Sequence, residues 1–251
     1  MKLGLEGRLA VVTGASAGIG REVARALAAE GVRTVLVARR EPLLQRLAEE
    51  ICAAGHPVPR VLPLDLYDRG SAQRVVDCLA SLGPADILIN DAGGSRPLPV
   101  DASDEAWDES FAINFTALRK LAQGLMPPMM SRRWGRIINI TGSTEPSGVN
   151  AANAAKAAVH AWAKGLSRKI GEHQITINSI TPGRIHSEQI DQKLFPTRES
   201  QEAFARENIP LGYFGDPQDV AHLVVFLCSE RARYITGQRI CVDGGLHRAV
   251  V

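Results

Sequence analysis

The feature that most limits what this chain can become is Thr13-Gly14-Ala15-Ser16-Ala17-Gly18-Ile19-Gly20. It directly follows an apolar run, Leu9–Val12, and opens a stretch, Ile19–Gly31, in which Ile19, Val23, Ala26 and Leu27 recur at helical spacing. Glycines between a buried strand and a helix let the backbone turn tightly and admit a bulky anion to the helix N-terminus, where free N–H groups and the helix dipole favour negative charge. Strand, glycine turn and helix in that order are the context a dinucleotide-binding turn requires. Gly14, Ser16, Ala17, Gly18, Ile19 and Gly20 are the candidate pyrophosphate-side residues. A turn with a structural role only is the competing reading.

The rest of the chain repeats the alternation. Strands are expected at Thr34–Ala38, Val61–Leu64, Ile87–Asn90, Arg136–Ile140, Ile175–Ile180 and Arg239–Val242. Helices are expected over Pro42–Ala54, Ala72–Leu82, about Ser103–Met130, Ala151–Gly171 and Pro217–Cys228. Strands that are apolar throughout are buried on both faces, which points to a parallel sheet covered by helices on both sides. Right-handed crossovers then give an α/β, doubly wound Rossmann architecture, read as one domain over residues 1–251. Thr181–Pro210 reads as a loop too long for a simple connector, and a substrate lid is expected there.

Composition removes several function classes. Lys plus Arg number 29 against 27 Asp plus Glu, a net charge of +2, which leaves no electrostatic footprint for nucleic acid or a membrane surface. Cys52, Cys78, Cys228 and Cys241 form no CxxC pair, and the six histidines show no HxxxH or HExxH spacing. Buried, reduced thiols and no metal site are expected. No apolar run is long enough for a membrane span, and Met1–Arg8 is charged without a signal-peptide core. A cytoplasmic protein is the expectation.

The glycine spacing G-x-x-x-G-x-G, together with Asp65-Leu66, Asn90-Asp91-Ala92-Gly93, Pro182-Gly183-Arg184-Ile185-His186-Ser187, Ile235-Thr236-Gly237-Gln238 and Val242-Asp243-Gly244-Gly245, resembles the short-chain dehydrogenase/reductase family from Gly7 to Gly245. The resemblance implies adenine contacts at Asp65 and Leu66, and further cofactor contacts at Asn90, Ala92 and Gly93. It implies nicotinamide contacts at Pro182, Gly183 and Ile185. Asn114 falls where the family places its active-site asparagine. Asp91 departs mildly from the family's asparagine. The second strand ends in Arg39-Arg40, with no acid to hold both ribose hydroxyls. Arg39 and Arg40, helped by Ser16, suit a 2′-phosphate, so NADPH/NADP is favoured over NAD. Solvated surface arginines are the alternative.

The resemblance also implies serine, tyrosine and lysine at the reacting carbonyl, the last two sharing a helix face four residues apart. Lys156 matches the lysine and also binds the nicotinamide ribose. Four residues before it stands Ala152, which has no proton to give. Gly142 falls on the serine position, and Ser143 is one residue late. Two departures together favour divergence over a single engineered Tyr→Ala change. Tyr67, Tyr213 and Tyr234 are not placed for the role, although sequence leaves Tyr213 open. Ser143, Glu145, His186, water held by Asn150, or the substrate itself are candidate proton sources. Arg96 with Arg184 is a candidate carboxylate-binding pair. His160, Trp162 and Leu166 fit packing, and the resemblance implies a homodimer or homotetramer. The expected function is NADP(H)-linked carbonyl or secondary-alcohol chemistry on a small molecule, with Asn114, Ser143 and Lys156 catalytic. Non-redox chemistry, such as aldol-type cleavage, or nucleotide binding alone is the alternative.

Overall fold

The computed structural model describes residues 2–95, 97–143, 145–146 and 148–249. Arg96, one of the two candidate carboxylate binders, lies outside them. Seven strands form one parallel sheet: β1 (Leu9–Thr13), β2 (Arg33–Ala38), β3 (Arg60–Pro63), β4 (Ile87–Asn90), β5 (Gly135–Ile140), β6 (Ile175–Pro182) and β7 (Arg239–Val242). Their spatial order is β3-β2-β1-β4-β5-β6-β7. The order reverses between β1 and β4, where Val12 pairs with Ile89. In open α/β sheets a ligand crevice opens beyond the strand carboxyl ends at such a reversal.

The helices are α1 (Gly18–Ala29), α2 (Glu41–Ala53), α3 (Ser71–Leu79), α4 (Asp104–Phe111), α5 (Ala117–Arg132), α6 (Ala151–Ile170), α7 (Arg198–Asn208) and α8 (Pro217–Cys228). Along β1, Ala10 and Val12 enter one apolar core with Val23, Leu27 and Val224, while Leu9 and Val11 enter the other with Leu121 and Ile177. Successive side chains point to opposite faces, so an unbroken apolar strand needs a helical layer on each side.

Three expectations are corrected. The helix expected over Ser103–Met130 is interrupted by a π turn, Ala112–Thr116, between α4 and α5. The extra residue in such a turn leaves no trace in apolar periodicity. The Thr181–Pro210 loop holds a second π turn, Ile190–Leu194, and all of α7. A capping box between Thr197 and Ser200 starts α7. Its aromatic face closes a small third core in which Phe204 and Phe195 pack on Phe214. The thiols also differ from expectation: all four are free, but Cys52 is exposed and only Cys228 is fully buried. No helix among the described residues is long and apolar enough to cross a membrane.

Candidate active site

The crevice is built from the ends of β1 and β4. Thr13 joins them: its hydroxyl donates to Ile89 O (3.1 Å) and accepts the N–H groups of Asp91 (3.0 Å) and Ala92 (3.1 Å). Thr13 opens the glycine motif in the sequence, yet residue spacing gave no sign of this bridging role. Two glycines in the turn are there because of close approach. A β-carbon on Gly14 would fall 2.7 Å from Asp91 Oδ2, and one on Gly20 would fall 2.6 Å from Gly14 O. The N-cap of α1 is Ala17, with no side-chain cap. The N-cap side chain therefore takes none of the first-turn N–H groups, an arrangement that suits a bound phosphate.

Asn114 sits inside the π turn and is buried. Its Oδ1 accepts Gly94 N–H (3.1 Å), while Nδ2 donates to Gly94 O (3.0 Å) and Ser110 O (2.9 Å). The wider turn lets a polar side chain point into the protein while still serving the backbone after β4. Gly93 lies between the two functional helices: a β-carbon there would meet Asn114 Oδ1 at 2.7 Å and Lys156 Cε at 3.8 Å. Gly93, Asn114 and Lys156, separated by up to 63 positions in the chain, meet at one point.

Lys156 donates to Thr141 O at 3.3 Å. Burial lowers its pKa, opposed by the charge of Asp91. Burial likewise pushes the Asp91 carboxyl up to about 7, opposed by Lys156 and by the Gly20 N–H. Asp91 thus faces both the glycine turn and the lysine, a role that its place in an otherwise ordinary motif did not reveal.

Ala152 is the second residue of α6 and is buried. Asn150 caps the helix by accepting Ala152 N–H (2.9 Å) and donates to Ser95 Oγ (2.8 Å). Asn150 is thereby committed to the helix start and the segment after β4. None of the described contacts joins a tyrosine to Asn114, Ser143 or Lys156, and Tyr67, Tyr213 and Tyr234 are all exposed.

Two candidate proton sources have partners elsewhere. Glu145 accepts the backbone N–H groups of Arg248 (3.1 Å) and Ala249 (2.6 Å), and these bonds hold its carboxyl below the usual range. It anchors the chain's end as a carboxylate. His186 Nδ1 lies 2.8 Å from Asp191 Oδ1, and its ring packs near Phe214 within the lid. The Ser143 hydroxyl accepts Glu145 N–H (3.0 Å). Arg184 is partly desolvated over the Phe195 and Phe204 rings, so its guanidinium braces the lid.

At the cofactor end, Asn90 Nδ2 donates to Asn139 Oδ1 (2.9 Å), and Leu66 is buried. Asp65 accepts Tyr67 N–H (3.0 Å) and lies 3.7 Å from Arg39. Arg40 turns the other way, 3.4 Å from Ser16 Oγ. A β-carbon on Gly183 would fall 2.6 Å from Asp243 Cα, so the Pro182–Gly183 segment is locked to the C-terminal strand that also carries Cys241. The fold brings ligand atoms of Cys241, Asp243 and His247 within 4.8 Å of one another, which no sequence spacing indicated. Asp243 is already engaged, accepting Gly245 N–H, His247 N–H and the His247 ring.

His160 lies one turn beyond Lys156, and burial pushes its pKa down to about 4, so it is neutral. Trp162 and Leu166 pack partly buried on this chain's own core, with Trp162 edge-on to Phe115.

The sheet order, the glycine turn at its reversal and the Asn114–Gly93–Lys156 meeting point define a dinucleotide-binding α/β protein of the oxidoreductase kind. The chain belongs to the short-chain dehydrogenase/reductase family, and it is 3-oxoacyl-[acyl-carrier-protein]-reductase-like. The family model described as enoyl-(acyl carrier protein) reductase matches residues 14–247. The 3-oxoacyl-[acyl-carrier-protein] reductase FabG of Escherichia coli K12 is 34% identical over 250 residues, covering 98% of this chain and 99% of that protein. Nodulation protein G of Rhizobium sp. strain N33 is 38% identical over 247 residues, covering 96% and 98%. The structure of L-sorbose reductase from Gluconobacter frateurii, complexed with NADPH and L-sorbose, superposes with a TM-score of 0.93 at 31% identity, covering all of both chains.

Proposed function

We propose that this protein is an NADP(H)-dependent oxidoreductase acting on a carbonyl or secondary alcohol, with Ala152 in place of the family's proton-donating tyrosine. The observation that carries this reading is the convergence of Lys156 and Asn114 on Gly93, beside an uncapped glycine-turn helix. A chain that had left dinucleotide chemistry would have no evident need to hold a desolvated lysine there. The NADPH complex of L-sorbose reductase supports the coenzyme choice, as do Ser16 and Arg40 side by side.

The coenzyme, when bound, supplies or accepts hydride at its nicotinamide. This chain's residues do the rest. Gly14, Ser16, Ala17, Gly18, Ile19 and Gly20 hold the pyrophosphate, Asp65 and Leu66 the adenine, and Arg40 the 2′-phosphate. Asn90, Ala92 and Gly93 shape the crevice floor, and Pro182, Gly183 and Ile185 its nicotinamide wall. Lys156 holds the ribose hydroxyls through its ammonium, and Asn114 fixes Gly94 and with it the β4 loop. Glu145 and His186 are engaged elsewhere, so the proton on the substrate oxygen comes from Ser143 or from water beside it. Neither matches a phenol next to a lysine, and slow turnover follows. The four free cysteines suit a reducing cytoplasm, and a homodimer or homotetramer is part of the same reading.

Saturable quenching of tryptophan fluorescence by NADPH is the expected result. Its absence overturns the reading. A second reading, nucleotide binding without redox turnover, is favoured by the paired loss at Ala152 and Gly142. NADPH binding with no reduction of any carbonyl in a broad panel, even after a tyrosine is restored, selects it.

A further inference from the structure

The carboxylate of Glu188 makes two contacts with one guanidinium nitrogen of Arg40: Nη1 lies 3.0 Å from Oε1 and 2.8 Å from Oε2. Arg40 follows β2, at the adenosine end of the crevice, while Glu188 lies 148 residues later on the segment between β6 and the second π turn. The same guanidinium reaches Ser16 Oγ in the glycine turn at 3.4 Å through both Nε and Nη2. The pair therefore straps the lid across the crevice at the glycine turn. The strap is fixed at its lid end: Ile185 bridges to Gly215, His186 N–H donates to Gly215 O (2.9 Å), and Gln189 Nε2 lies 3.4 Å from Ser95 O. Glu188 also lines an open depression of about 440 Å³ with Gly18, Arg21, His186 and Asp216 among others.

The Arg40 guanidinium, with the Ser16 hydroxyl beside it, offers the donors that a phosphate monoester would take, and the Glu188 carboxylate already accepts from that guanidinium. We infer that Glu188 determines coenzyme selection: it holds Arg40 in the place of a 2′-phosphate, so a coenzyme bearing that phosphate must displace it, whereas one with a bare 2′-hydroxyl need not. The inference rests on the proposed coenzyme reading. Both side chains are about half exposed, 46% for Arg40 and 56% for Glu188, so solvent screens their attraction and the competition is modest. On Arg40, a phosphate carrying nearly two charges replaces a carboxylate carrying one. Loading of NADPH therefore loosens the strap, while NADH leaves it closed.

The experiment titrates NADPH, NADH, 2′,5′-ADP and 5′-AMP into the full-length protein and into E188Q, R40Q and the double variant. The expected result for E188Q is about two- to fivefold tighter binding of NADPH and 2′,5′-ADP, the scale of an exposed ion pair. NADH and 5′-AMP should be unchanged. The gain should vanish when Arg40 is also replaced. Equal shifts for both coenzymes, no shift for NADPH, or a gain that persists without Arg40 would each overturn the inference while leaving the coenzyme reading standing. Failure of the unaltered protein to bind any of the four ligands overturns both.

Discussion

A β-carbon at Gly142 would stand 3.3 Å from Cδ of Lys156. The position where the family resemblance implies a serine thus faces the lysine, and Ala152 lies one helical turn before Lys156 on the same face of α6. Introducing both groups tests the proposed reading directly. Ala152→Tyr combined with Gly142→Ser is expected to raise NADPH-linked carbonyl reduction by about a hundredfold or more, the scale of general acid catalysis. Gly142→Ser alone should give little. Single-turnover reduction of a carbonyl panel measures it, and no gain from the double variant would show that more than the acid has diverged.

The buried carboxyl of Asp91 gives a pH signature in stability. Its folded pKa, about 7, lies above the value of 3.8 that it has when solvated. Between those values the folded chain keeps a proton that the unfolded chain has released. Stability therefore falls as pH rises through that window and levels off above it. Asp91→Asn removes the cost of burying the charge. The thermal midpoint should gain more at pH 8 than at pH 5, by about 2–4 °C for each kcal/mol recovered. An equal shift at both pH values would contradict the assignment.

Thr13 ties the two strand ends that frame the crevice. Thr13→Val leaves two backbone N–H groups without an acceptor, at about 1–3 kcal/mol for each that stays buried. A fall in denaturant midpoint with weaker NADPH binding is the expected result. Thr13→Ser keeps the hydroxyl and should restore most of both. A fall of the same size in Thr13→Ser would place the effect on the lost methyl group instead.

Lys156 separates binding from folding. Lys156→Met removes a desolvated charge and keeps the aliphatic stem, so the folded state should lose little stability. NADPH affinity should fall by about tenfold, equivalent to about 1.4 kcal/mol. Calorimetry on the variant measures both. A large drop in thermal midpoint with unchanged affinity would make Lys156 a structural residue.

Much of this was legible in the chain. Period-two burial on both faces wrote the strands into apolar runs, and the turn at Gly14–Gly20 announced itself because its glycines answer a local steric demand. The π turn at Asn114 was not legible, since its single inserted residue blurs the helical period only slightly. Nor was α7, whose residues are mostly polar and whose burial depends on Phe195 and Phe214 from outside the helix. Arg136 reads as an unremarkable strand residue, yet it is fully buried, stacked 4.4 Å from the Trp134 ring and paired with Glu230 at 3.7 Å. Its partner comes from 94 positions away.

By itself the sequence determined the layer architecture, the coenzyme turn and the alanine four residues before Lys156, because each depends on residue identity at short spacing. Only the tertiary structure decided that Glu145 anchors the chain's end, that His186 serves the lid, and that Asp91 confronts Lys156. It also decided that Glu188 holds Arg40. Charge pairing and desolvation depend on distance in space, and residues far apart in the chain acquire those distances only when the sheet has formed.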